Sequence, residues 1–212
     1  MTARAHAPGH VSGLFAIHDE PEEPLRKGSR GAGWCVDRGA TATAMPSERP
    51  RLRVDGAEGE WEVTRRALHI LAPRQAMDVD VRLELPVGQG FGMSAAGTLA
   101  ACLAAASELG LEPEAALEAT HQAEVEAGGG LGDAVAAWHG SAEVRMRPGC
   151  PPHGWVSRVE PPPGTRLLYC VLGDPLPTRS VIREPSWKLR TRALAASGAH
   201  QRVEPSMHCP HG

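Results

Sequence analysis

The chain has 212 residues, a formal net charge of −3, 42% hydrophobic side chains and 22% charged ones. That length suits one domain with room for an appendage, and the balance is that of a folded globular chain rather than a disordered one. So small a negative charge argues against nucleic acid or an anionic membrane surface as a partner. Arginine supplies all but two (Lys27 and Lys188) of the 22 basic side chains, and asparagine is absent; a coding bias accounts for both.

The five cysteines, at 35, 102, 150, 170 and 209, form no CxxC pair and no zinc-type spacing. Such a scatter reads as reduced thiols in a cytoplasmic protein. The N-terminus carries no signal-peptide pattern, and the longest apolar run, 97–106, is too short to span a bilayer. His208, Cys209 and His211 are too few and too unsupported to make a metal site.

In chain order, residues 10–18 and 33–39 read as strands, with "DEPEEP" and a loop over "RKGSRGAG" between them. Three short extended pieces follow at 51–56, 61–64 and 77–85. The last alternates Val79, Val81, Leu83 and Leu85, the period of a half-buried strand that Pro86 stops. From Ser94 to Leu109 the residues are almost all small and apolar over a length too great for a strand, so a buried helix is expected, capped by Gly110. A second helix is expected over 112–127, with Pro113 in its first turn and "GGGLGD" breaking it. Strands are expected at 141–147 and 166–173. Residues 184–212 lack a core stripe and read as a poorly ordered tail beyond a folded unit at 1–183.

Between the strand ending at Pro86 and the helix beginning near Ser94 lies "PVGQGFGMSAAG". A strand, a glycine loop and a helix N-terminus form an arrangement suited to an anion, because the first helical amides lack internal partners and the dipole is positive there. A tight turn before a packed helix would use the same glycines. A Walker A loop needs Gly-Lys-Ser/Thr, and this stretch has no lysine. The dinucleotide fingerprint from Gly88 needs a third glycine at 93, which is Met.

The stretch resembles the phosphate loop of the GHMP kinases. Pro86, Gly90, Gly92, Ser94, Ala95 and Ala96 match their signature, while Phe91 replaces an aliphatic residue and Met93 a serine. "HQAEVEAGGGLGD" (121–133) is similar to the family segment in which a glutamate-bearing helix ends in a glycine turn before an aspartate. The resemblance implies an α+β fold, the family's N-terminal lobe (ribosomal protein S5 domain 2-like), with an antiparallel-rich sheet, a left-handed crossover and an incomplete second lobe. It implies that Pro86, Gly88, Gly90, Phe91, Gly92, Met93, Ser94, Ala95 and Ala96 hold ATP. Ser94 and Glu124 would hold Mg²⁺, and Asp133 would take the proton from an alcohol substrate.

Within the superfamily the likeness narrows to the archaeal pantoate kinases, carried by "PGHVSGLF", "GSRGAG", "GQGFGMSAAG", "HQAEVEAGGGLGD" and "GDPLPTRSVI". This implies phosphorylation of pantoate on the way to coenzyme A, with Ser29, His121 and Arg145 lining the substrate site. Arg145 would grip a carboxylate in a bidentate fork. The resemblance leaves room for a homodimer. Two alternatives stay open: a homoserine or mevalonate type of kinase, and a truncated remnant that binds nucleotide without turnover.

Overall fold

The computed structural model describes residues 2–129, 131–171 and 173–175. Its elements are β1 (Ala3–His18), β2 (Gly28–Pro46), β3 (Arg51–Val54), β4 (Ala57–Glu58), α1 (Glu62–Leu71), β5 (Met77–Leu83), α2 (Met93–Leu109), α3 (Pro113–Glu126), α4 (Asp133–His139), β6 (Ala142–Arg147) and β7 (Trp155–Val159). The tail expected from 184, the boundary before it and the His208–Cys209–His211 group lie outside the described residues. Among those residues no helix is long and apolar enough to cross a membrane.

Seven strands form one sheet in the order β4-β3-β5-β2-β6-β7, with β1 also paired to β2. Every pairing is antiparallel except β3 with β5, which α1 joins. The antiparallel-rich α+β architecture agrees with the sequence expectation.

β2 organises the sheet. Its second half pairs with β5 and its first half with β6, while β1 runs along both. Of the loop expected over residues 26–33, residues 28–33 are instead the start of this strand. Its glycines are not turn residues: a Cβ on Gly31 would collide with the Leu14 carbonyl, and one on Gly33 with the His10 ring. They are bare because β1 and β6 lay side chains across them.

Three further expectations change. "WEVT" opens α1 rather than a strand, because the apolar spacing of Val63, Ala67, Leu68 and Leu71 is helical once the window is widened. Residues 166–171 and 173 are not a strand; β7 at 155–159 takes that place beside β6. A short helix, α4, follows the glycine run.

α2 was expected from 94 and starts one residue earlier. Ala95, Ala96, Ala100, Ala101, Ala104 and Ala105 are buried to 2% exposure or less, and the helix packs on β1, β2 and β5. Small side chains let its axis approach the sheet closely, so the filled core fixes where the N-terminus of α2 lies. A buried hydrogen bond between the Thr64 and Thr98 hydroxyls, 2.8 Å long, ties α1 to α2. Gly110 ends α2 in the left-handed conformation expected of a C-cap.

Candidate functional site

The loop after β5 reaches α2 through Gly92, which caps the helix with φ 60°. A side chain there would strain the backbone and press on the His10 carbonyl oxygen at 3.3 Å and on Asp133 Cβ at 3.4 Å. The first amide with a carbonyl one turn back is that of Ala96, which donates to Gly92 at 2.9 Å. The amides of Met93, Ser94 and Ala95 therefore have no intrahelical acceptor, and no side chain caps them. The loop is anchored to β1 by the His10 amide donating to the Phe91 carbonyl at 2.9 Å. Beyond β7, Tyr169 rests edge-on against the Phe91 ring at 5.1 Å, and Gln89 donates to the Gly173 carbonyl at 2.9 Å.

The loop and the first turn of α2 border a cavity of about 760 Å³. Gly88, Gly90, Phe91, Gly92, Met93, Ser94 and Ala95 line it. Pro86 and Ala96 do not, Pro86 being exposed at the end of β5 and Ala96 buried in the core. Glu124 and Asp133 face the same cavity from α3 and α4.

Ser94 Oγ donates to Glu124 Oε1 at 2.8 Å. The glycine run folds tightly round Glu124, with the Gly129 amide donating to its carbonyl at 2.9 Å, and a Cβ on Gly129 would collide with Oε2. A hydroxyl beside a carboxylate is a hard oxygen pair. Among the described residues no group of three or more His, Cys, Asp and Glu could hold a metal alone. The pair would suit a hard divalent cation that draws its remaining oxygen ligands from outside the protein, not one caged by side chains.

Asp133 opens α4 with its side chain 24% exposed. Burial pushes its carboxyl up, but the His10 hydrogen bond and charge, with Arg145 beyond, hold it below the usual carboxylate range. Behind it runs a buried polar string. His10 Nδ1 lies 2.9 Å from Asp133 Oδ1, and His10 Nε2 lies 3.1 Å from Glu143 Oε1. Glu143 is ion-paired with Arg145. Arg145 in turn donates to Ser29 Oγ at 3.2 Å and to Ser12 Oγ at 3.4 Å.

Of the residues expected at the substrate, Ser29 lines the cavity, beside Ser12, Phe15 and Ile17. Arg145 is 3% exposed and stands behind Ser29, already paired with Glu143. His121 does not line the cavity. Its ring is buried and Nε2 is 2.9 Å from the Lys27 carbonyl at the entry to β2, so it sits behind the wall. Burial lowers its pKa, which the backbone carbonyls of Lys27 and Pro24 only partly offset.

Sequence reasoning missed His10, Glu143, Ser12 and Asp174, the last also on the cavity wall. His10 lay inside a quoted motif. Glu143 had no signal, since alternation with Val144 would place it on a strand face of either kind.

A model of the GHMP kinases N terminal domain matches residues 61–141. The chain is similar to the pantoate kinase of Methanospirillum hungatei, with 33% identity over 189 residues covering 84% of this chain and 63% of that protein. It is similar to the pantoate kinase of Thermococcus kodakarensis, with 34% identity over 164 residues, 71% of this chain and 54% of the relative. Among solved structures it is similar to a phosphotransferase related to CoA biosynthesis pathway, with 32% identity and a TM-score of 0.69 over 75% of this chain and 57% of the other. The chain thus spans less than two thirds of each relative's length.

Proposed function

This chain belongs to the GHMP kinase superfamily, and from that premise we propose that it forms the nucleotide- and substrate-binding part of a pantoate kinase. The observation that carries this reading is the free amides of Met93, Ser94 and Ala95 sharing one cavity with Ser94, Glu124 and Asp133. The triphosphate of ATP lies against those amides, where glycines admit it and the helix dipole favours it. Ser94 and Glu124 are the residues that would hold Mg²⁺, which when bound supplies charge neutralisation between phosphate oxygens.

Phosphoryl transfer asks the protein mainly for alignment and charge. The substrate hydroxyl oxygen forms a bond to the γ-phosphorus while the bond from that phosphorus to the β–γ bridging oxygen breaks. ADP leaves with the bridge electrons, and the hydroxyl proton passes to the Asp133 carboxylate. Pantoate offers a carboxylate, two hydroxyls and a pair of methyl groups. Ser12 and Ser29 supply hydroxyls on the cavity wall beside Arg145, and Phe15 and Ile17 supply apolar contact there. The names of the similar relatives support pantoate over other alcohols.

The test is a coupled assay with ATP, Mg²⁺ and, separately, pantoate, homoserine and mevalonate. ADP release with pantoate alone supports the proposal, and release with another alcohol reassigns the substrate. The second reading, nucleotide binding without turnover, draws on the chain spanning 63% and 54% of the two pantoate kinases. Retained ATP binding with silence for all three alcohols would favour it.

A further inference from the structure

The proposed reaction uses Asp133 but leaves the string behind it without a task. The His10 side chain is wholly buried, with each ring nitrogen directed at a carboxylate oxygen. A neutral imidazole has one N–H and one lone pair, so one of its two contacts would set a lone pair against a carboxylate lone pair. Glu143 is ion-paired with Arg145 on its other side. Against burial, the His10 contact and the charges of His10 and Arg145 hold Asp133 below the usual carboxylate range, and its side chain opens to the cavity. Between two carboxylates, a ring protonated on both nitrogens donates to each and satisfies both contacts.

The groups facing His10 are Asp133 from α4, Glu143 and Arg145 from β6, and Cys35 from β2. Burial pushes the Cys35 thiol up to about 12, so it adds no charge. The Arg145 guanidinium, 3.5 Å from Nε2, opposes protonation, but from beside the glutamate that neutralises it.

We propose that His10 is an imidazolium cross-link between Asp133 and Glu143, a positioning residue that fixes the Asp133 carboxylate at the cavity wall and joins it to the Arg145–Ser29 end of the site. Burial pushes the ring toward the neutral form, and the two carboxylates reverse that, raising its pKa. Gly33 is the space in which the ring lies. The kinetic consequence rests on the reading of Asp133 as the base; the protonation state does not.

The experiment has two arms. The full chain, labelled with ¹⁵N-histidine, is followed by long-range ¹H–¹⁵N correlation from pH 5 to 9, with His10→Gln identifying the His10 signal. Both ring nitrogens in the protonated range at pH 7, with a midpoint above that of free histidine that falls in Asp133→Asn and in Glu143→Gln, is the expected result. A neutral ring at pH 7 overturns the proposal. In the second arm His10→Gln lowers kcat about 10- to 100-fold, with the KM for ATP little changed and no further loss in an Asp133→Asn background. An equal loss in both backgrounds overturns the positioning role. If no alcohol is phosphorylated, the kinase reading fails while the NMR arm still decides the state of His10.

Discussion

At the scale of single residues, three side chains divide the proposed chemistry. Asp133→Asn keeps the size and the contact to His10 but removes the proton acceptor, so kcat should fall by about 10²- to 10⁴-fold. ATP affinity, measured by calorimetry, should stay within about threefold, because the phosphate amides belong to a different helix. Unchanged turnover would take Asp133 out of the mechanism. Gly33→Ala should cost roughly 1–3 kcal/mol of unfolding free energy, read from denaturant unfolding, since its methyl meets both the His10 ring and the Val11 carbonyl. Ser94, Glu124 and Asp133 were legible because an ordered motif states them. Ser29 and Arg145 came from the family likeness, and the structure sets Arg145 a layer deeper, paired with Glu143. His10 and Glu143 were not legible, because a polar residue on a strand reads as outward until the sheet is known to face a helix across glycines.

Among elements, α2 and β5 could be read from composition and alternation alone, whereas β2 could not. Its inner row of Ser29, Gly31 and Gly33 carries no apolar signal, since the burial is done by side chains arriving from β1 and β6. α1 was lost to a window too short for a helical period. The two glycine environments predict opposite outcomes. A Cβ on Gly97 in α2 meets only the Leu83 methyl at 3.2 Å and the Val81 methyl at 3.6 Å. The half-buried Leu83 end can give way, so the helix-propensity gain wins. Gly97→Ala should stabilise by about 0.5–1 kcal/mol, read from urea unfolding. A loss would mean that Leu83 cannot move.

For the molecule as a whole, two buried histidines pull stability in opposite directions with pH. His121 has a folded pKa below the ordinary histidine value of 6.5, so the unfolded chain takes up protons that the fold refuses. Stability from this group falls as pH drops through 6.5. His10 has a folded pKa above 6.5, so its contribution is complete below that pH and fades as pH rises through the folded value. Thermal melts should therefore decline on both sides of an optimum. His121→Gln should flatten the acid side and His10→Gln the alkaline side. A His10→Gln melt that keeps the wild-type alkaline decline would contradict the imidazolium assignment.

Tyr169, the one tyrosine of the chain, touches the ring of Phe91 inside the glycine loop. That pairing is a ready-made spectroscopic reporter. Aromatic ring currents fall off steeply with distance, so seating a nucleotide on the loop should displace the Tyr169 proton resonances without any label being introduced. A titration with a non-hydrolysable ATP analogue would follow occupancy through those resonances.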